Sequence, residues 1–159
     1  MSKNGFMEMI ISLDDLSSKE VAEFLEEHVE EMKAVSPPES KHALDLEGLR
    51  QPNVRFWIAR MDSILVGCVA LKELGEGCAE LKSMRVAENY RGKGIASRLL
   101  AFLTGEAKES GSQELYLETG AMPFFEAARQ LYRKAGFREC GPFAEYVEDP
   151  NSVFMKLVL

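Results

Sequence analysis

Glu80-Leu81-Lys82-Ser83-Met84-Arg85-Val86-Ala87-Glu88-Asn89-Tyr90-Arg91-Gly92-Lys93-Gly94-Ile95-Ala96-Ser97-Arg98-Leu99-Leu100 reads as a strand, a tight glycine turn and an amphipathic helix. Its opening segment is short and β-compatible. Two glycines, Gly92 and Gly94, follow, and then Ile95, Leu99, Phe102 and Leu103 recur at helical spacing on one apolar face. A strand that feeds a helix through Gly-x-Gly leaves the first helical N–H groups unpaired, facing whatever lies over the turn. Open donors and the positive end of the helix dipole then act together, and the turn reads as an anion site.

Three phosphate-binding patterns compete for it. The P-loop fails because Lys93 is followed by Gly94 rather than Ser or Thr. The dinucleotide fingerprint has Ser97 at its third small position but lacks the context of a second parallel strand ending in an acidic residue. The pattern Arg/Gln-x-x-Gly-x-Gly/Ala is met in full by Arg91, Gly94 and Ala96. Here the sequence resembles the GNAT superfamily of acyl-CoA-dependent N-acetyltransferases. The resemblance implies that Arg91, Gly92, Lys93, Gly94, Ile95, Ala96 and Ser97 wrap the pyrophosphate of coenzyme A. It also implies that the backbone of Met84, Arg85 and Val86 pairs with the pantetheine arm and supplies an oxyanion donor.

A chain of 159 residues is read as one domain, large enough to bury a core without staples. Hydrophobic residues make up 46% and charged residues 28%, as expected for an ordinary globular protein. The net charge of −7 argues against nucleic acid or an anionic membrane as partner, and suits an amine-bearing substrate. No signal peptide or membrane-spanning run is present, so a cytoplasmic location is expected. Cys68, Cys78 and Cys140 are odd in number and far apart, with no Cys-x-x-Cys. They read as reduced thiols, with neither disulfide nor metal site.

Phe6–Leu13 alternates like a strand. Ser17-Ser18-Lys19-Glu20 forms a capping box that opens a helix with Val21, Phe24, Leu25, His28, Val29 and Met32 on one stripe. His28 on that stripe reads as a half-buried core histidine. Ser36-Pro37-Pro38 ends the helix, and a short helix or irregular segment from Lys41 to Leu49 follows. Val54–Met61 and Ile64–Leu74 are strands joined in a hairpin at Met61-Asp62-Ser63, and Gly75-Glu76-Gly77 turns the chain into the opening stretch. Three strands joined by tight turns make an antiparallel meander. The helix after Gly94 crosses to a strand at Glu114–Thr119, which implies a parallel neighbour and a mixed sheet.

Phe124–Phe137 reads as a helix capped by Gly136. It carries the second signature of the same family, Ala-x-x-Leu-Tyr-x-x-x-Gly-Phe, at Ala128, Leu131, Tyr132, Gly136 and Phe137. One position departs, since many relatives place asparagine where this chain has Phe125. Two last strands, Phe137–Cys140 and Ser152–Leu159, flank a long loop. The phrases His42-Ala43-Leu44-Asp45-Leu46 and Asp149-Pro150-Asn151-Ser152-Val153-Phe154-Met155 resemble a bacterial subfamily of small, mostly uncharacterised GNAT proteins. The expected fold is a GNAT-like mixed α/β architecture, a mostly antiparallel twisted sheet flanked by helices.

Acyl transfer gives the remaining residues their expected roles. An alkylammonium must lose a proton before it attacks a thioester. Glu80, matching a strand-borne glutamate of some family members, is the expected base, and a solvated strand charge is the alternative. Tyr132, matching the family's tyrosine acid, is expected to protonate the leaving thiolate. His42 and Asp45, in the segment that lines the acceptor pocket of this family, are the expected substrate contacts, and capping and solvating a short surface helix is the alternative. The expected reaction is direct transfer from acetyl-CoA to a primary amine of a small molecule or peptide in a ternary complex, without a metal. The alternatives are a non-catalytic acyl-CoA-binding module, which would need neither Tyr132 nor Glu80, and an acyltransferase with another acyl group or acceptor. Exposed strand edges make a homodimer conceivable.

Overall fold

The structure, a computed structural model, describes residues 8–37 and 45–159. A seven-stranded sheet forms its centre, built from β1 (Met9–Leu13), β2 (Val54–Met61), β3 (Ile64–Gly75), β4 (Cys78–Val86), β5 (Glu114–Gly120), β6 (Arg138–Cys140) and β7 (Ser152–Val158). The strand order is β1-β2-β3-β4-β5-β7-β6. Every neighbouring pair is antiparallel except β4 and β5. The crossover deduced from the glycine turn is therefore present. Among the described residues four helices flank the sheet: α1 (Lys19–Val35), α2 (Leu46–Leu49), α3 (Ile95–Glu109) and α4 (Glu126–Lys134). None among the described residues is long and apolar enough to cross a membrane.

Strand alternation divides the core in two. Ala79 and Leu81 of β4, Leu115 and Leu117 of β5 and Val69 and Leu71 of β3 point to the α3 side. They meet Ile95, Leu99, Leu100, Leu103 and Ala107 there, which is the helical stripe of the opening stretch with Leu100 and Ala107 added. Each large apolar side chain so buried contributes about 2 kcal/mol from area alone. On the other face Phe56, Ile58, Cys68 and Ala70 pack against Val21, Phe24 and Leu25 of α1 and Leu49 of α2.

Several element ends differ from the expectations, each for a local reason. The N-cap of α1 is Ser18, whose Oγ accepts from the Val21 N–H at 3.1 Å. The expected box placed the cap at Ser17, but Ser17 turns back to Asp15 and Glu20 is drawn away by Arg60 at 2.7 Å. The helix expected from Phe124 begins at Glu126, preceded by a 3₁₀ turn over Pro123–Phe125. Phe125 sits against the end of β5, where a Cβ on Gly120 would collide with its ring. The hairpin between β2 and β3 turns on Asp62 and Ser63, both in the left-handed region with φ of 51° and 69°. Phe6 and Met7 of the expected first strand, and His42, lie outside the described residues.

Candidate active site

The sheet forks at Glu80. Parallel pairing of β4 with β5 covers only Cys78↔Glu114, Ala79↔Leu115 and Glu80↔Tyr116. Beyond that point β4 stays on β3 as far as Val86, and β5 stays on β7 as far as Gly120. Each arm is held by its outer neighbour, so a wedge opens between them with the inner backbone edge of β4 along one wall. Such an edge presents N–H and C=O groups that an extended ligand can pair with as an added strand.

A bulge shapes that edge. Cys68↔Arg85 is followed in the β3 register by Ala70↔Lys82, so β4 carries one residue more than β3 over this stretch. Ser83 has φ of 54°, and its carbonyl accepts from the Cys68 thiol at 3.1 Å. The extra residue inverts the alternation. Before the bulge, Ala79 and Leu81 face α3 while Glu80 and Lys82 face the α1 side. After it, Met84 and Val86 pack on the α3 core, and Arg85 turns toward α1. Arg85 is only 7% exposed, donates to the Phe24 carbonyl at 2.9 Å and lies over the Phe24 ring. Its side chain belongs to the α1 packing, so only its backbone can serve the wedge.

The glycine turn closes the wide end of the wedge. Gly92 and Gly94 have φ of 77° and 81°, a region costly for any other residue. A Cβ at either position would meet nothing, so the space above the turn is open. Gly94 is the N-cap of α3 and no side chain caps that end, which leaves the first N–H groups of the helix for a ligand. Lys93 is exposed and forms no ion pair among the described residues. Arg91, expected to face phosphate, instead grips Glu31 of α1 through two bonds of 2.9 and 2.7 Å, and its Nε donates to the Val86 carbonyl at 3.2 Å. That bidentate contact holds the Glu31 carboxyl below its ordinary range. Open N–H donors, a free lysine and an unpaired strand edge suit a long ligand with phosphates at one end and amides along its length, which is the chemistry of coenzyme A.

On the α1 side of the fork lies a polar cluster. Glu80 is 2% exposed and accepts from the Tyr146 hydroxyl at 2.6 Å, with Lys82 Nζ at 3.7 Å. Tyr146 comes from the loop between β6 and β7, held there by stacked rings: Tyr116 and Phe143 at 4.9 Å, Phe143 and Tyr146 at 4.8 Å, and Tyr146 and Phe154 at 5.6 Å. Burial, then the bond to Glu80, pushes the Tyr146 phenol far up, so it stays protonated as the donor. Beside the cluster is a cleft of about 260 Å³ lined by Leu25, His28, Asp45, Lys72, Lys82 and Ser83 among others. Asp45 is the N-cap of α2, its Oδ1 accepting from the Gly48 N–H at 2.9 Å, and it also lines this cleft.

Tyr132 lies on α4, 6% exposed, in the core cluster that includes Ile95, and it meets Phe137 edge-on at 5.8 Å. Burial pushes its phenol up, and its hydroxyl has no hydrogen-bond partner among the described residues. The start of α4 is pinned to the end of β5 by Arg129, which donates to the carbonyls of Gly120 and Met122 at 2.6 and 3.0 Å and pairs with Glu126. This tether occupies the region where Phe125 replaces the family's asparagine. Cys68 is fully buried, with its thiol pushed up to about 12 by burial, so it is a poor nucleophile.

The fold thus brings Met84–Val86 and the turn from Arg91 to Ser97 to one wedge, and Glu80 to its apex. Asp45 lies on the cleft beside Glu80. Tyr146, Lys72 and Lys82 were missed by sequence reasoning. Tyr146 sits in a loop without periodicity, which gives no signal of where its side chain packs. The lysines were legible as polar positions within strands, but the face they share was not.

The profile of the acetyltransferase (GNAT) family matches residues 20–137. The chain is 49% identical over 147 residues to an uncharacterised N-acetyltransferase of Bacillus subtilis, YsnE, covering 92% of this chain and 97% of that one. It is 44% identical over 149 residues to an uncharacterised N-acetyltransferase of Escherichia coli, YedL, covering 94% of each. A crystal structure of a Bacillus subtilis acetyltransferase in complex with CoA superposes with a TM-score of 0.71 at 19% identity, covering 96% and 99% of the two chains, a likeness of fold. The forked sheet, the glycine turn and these relatives agree: the chain belongs to the GNAT family of acetyltransferases.

Proposed function

We propose that the protein moves an acetyl group from acetyl-CoA to a primary amine by direct attack within a ternary complex. The observation that carries this reading is the fork at Glu80, which sets an unpaired strand edge beside an uncapped helix N-terminus and a buried carboxylate at their junction. In this reading the N–H groups of Gly94–Ser97 and Lys93 hold the pyrophosphate. The backbone of Met84–Val86 pairs with the pantetheine amides and offers an N–H to the oxyanion of the tetrahedral intermediate. Acetyl-CoA supplies the activated acyl carbon.

Glu80 takes the proton of the incoming ammonium, directly or through one water. Its bond from Tyr146 fixes the carboxylate without consuming both oxygens. Tyr132, kept protonated by burial, donates to the departing sulfur. Asp45 contacts the acceptor from the rim of the cleft, as does His42 in the reading by resemblance. Cys68 is buried and weakly acidic, which favours direct transfer over an acyl-enzyme.

Calorimetric titration with acetyl-CoA and with free CoA tests this reading. Gly94→Glu puts a strained, anionic side chain where phosphate would sit. Like-charge juxtaposition costs several kcal/mol, so binding should weaken by about 100-fold or more while the fold persists. A folded wild type that binds neither ligand refutes the proposal.

A further inference from the structure

The cleft beside Glu80 has an unexpected charge for so acidic a chain. Two lysines line it, from neighbouring strands and on one face: Lys72 of β3 is opposite Glu80, and Lys82 of β4 is opposite Ala70. Residues placed diagonally in this way across two strands are within reach of a common ligand group. Lys82 is 3.7 Å from Glu80 Oε2, a loose contact. Lys72 is half-buried and forms no ion pair among the described residues. Among the described residues Asp45 is the one carboxylate lining the cleft, and an oxygen of it is committed to capping α2. Glu80 is the cross-strand neighbour of Lys72 but is bonded by Tyr146 and contacted by Lys82, so a bound anion would relieve the desolvation cost of the half-buried Lys72 ammonium. An acceptor bearing only positive charge, such as a polyamine, would meet two lysines in a site of about 260 Å³.

We infer that the acceptor is a small amino acid, its amine at Glu80 and its carboxylate between Lys72 and Lys82. The inference rests on the acetyl-transfer reading of the same site and names its substrate class. Spacing narrows the class further. Lys82 Nζ lies 3.7 Å from Glu80 Oε2, so base and carboxylate handle are neighbours, which suits the short amine–carboxylate spacing of an α- or β-amino acid. His28 and Leu25 of α1 lie across the cleft, where the acceptor's side chain would project. In the reaction the amine nitrogen bonds the acetyl carbon and the C–S bond breaks. One ammonium proton passes to Glu80 and on to solvent, Tyr132 protonates the departing thiolate, and the second nitrogen proton, lost as the tetrahedral intermediate collapses, restores the Tyr132 phenol through solvent. The products are an N-acetyl amino acid and CoA. The acceptor's carboxylate is unchanged throughout and serves only as a handle.

The test is acetyl transfer, followed by release of the CoA thiol, to the common L-amino acids and β-alanine, to their carboxamides and to linear diamines. Alongside it, unfolding of the CoA-loaded protein is followed with the same compounds at millimolar concentration. The expected result is a kcat/KM at least tenfold higher for a free amino acid than for its carboxamide. Lys72→Gln should bring that ratio close to one, Lys72→Arg should restore much of it, and the KM for acetyl-CoA should stay within twofold in both. A carboxamide or diamine used as well as the carboxylate overturns the inference, as does a ratio unmoved by Lys72→Gln. If nothing is turned over, the unfolding data decide. A carboxylate-dependent stabilisation lost in Lys72→Gln supports the inference, and its absence from the wild type overturns it. Loss of acetyl-CoA binding in the wild type would instead refute the parent reading, so the two failures are distinguishable.

Discussion

The two halves of β4 do different work. From Cys78 to Glu80 the strand is paired on both sides, its backbone groups are spent, and its chemistry is in side chains: Glu80, and Lys82 just beyond. From Leu81 to Val86 it is paired with β3 alone, and here the useful groups are in the backbone. Met84, Arg85 and Val86 turn their side chains into packing, two toward α3 and one toward α1. A strand can therefore serve two ligands by losing one neighbour midway. Residue identity matters where the backbone is occupied, and strand geometry matters where it is not.

Substitutions along β4 and its supports can break that contrast. Glu80→Gln keeps the shape but not the base, and should lower kcat by roughly 100-fold at neutral pH with acetyl-CoA affinity unchanged. Steady-state kinetics beside calorimetry would check it, and an unchanged kcat would remove Glu80 from the chemistry. Tyr146→Phe removes a donor from a buried carboxylate, and should destabilise the fold by about 2 kcal/mol in urea unfolding while leaving CoA affinity intact.

Arg91→Ala cuts the tie to Glu31 and should cost about 1 kcal/mol, because the pair is only partly buried. Glu31 is held below its ordinary value of 4.5, so its contribution is present above that value and is lost as pH falls through the lowered one. The stability gap between wild type and Arg91→Ala should shrink as pH drops from about 5 to 3. Met84→Leu should be the mildest change, below about 1.5 kcal/mol and with near-normal turnover, since only the backbone of Met84 faces the wedge. A large loss of activity there would break the contrast between the halves.

Much of this arrangement was legible because it rests on local rules. Gly92 and Gly94 stand where a positive φ is required, and the stripe from Ile95 to Leu103 gives the helix. The spacing of Arg91, Gly94 and Ala96, with Leu131, Tyr132 and Gly136, carried the resemblance. What escaped was non-local. The bulge at Ser83 depends on the β3 register, and plain alternation would have put Met84, not Arg85, on the α1 side. Arg91 is expected at phosphate from its place in the motif, but the contact that α1 gives it through Glu31 is not legible in that motif. Tyr146 reaches Glu80 across a separation that no periodic pattern spans. Glu20 fits a capping box by spacing, yet Arg60 from a distant strand outbids the helix end.

The position of β7 bears on how the chain is made. β7 follows β6 in sequence but lies inside it, inserted between β5 and β6 and giving Phe154 and Met155 to the core. Until residues 152–158 have left the ribosome, the growing chain carries β5 with one edge bare and β6 with no partner at all. Bare edges are where unfinished sheets join one another. The β5 arm of the fork is thus secured last, and a nascent chain stalled before residue 152 is a candidate for chaperone capture.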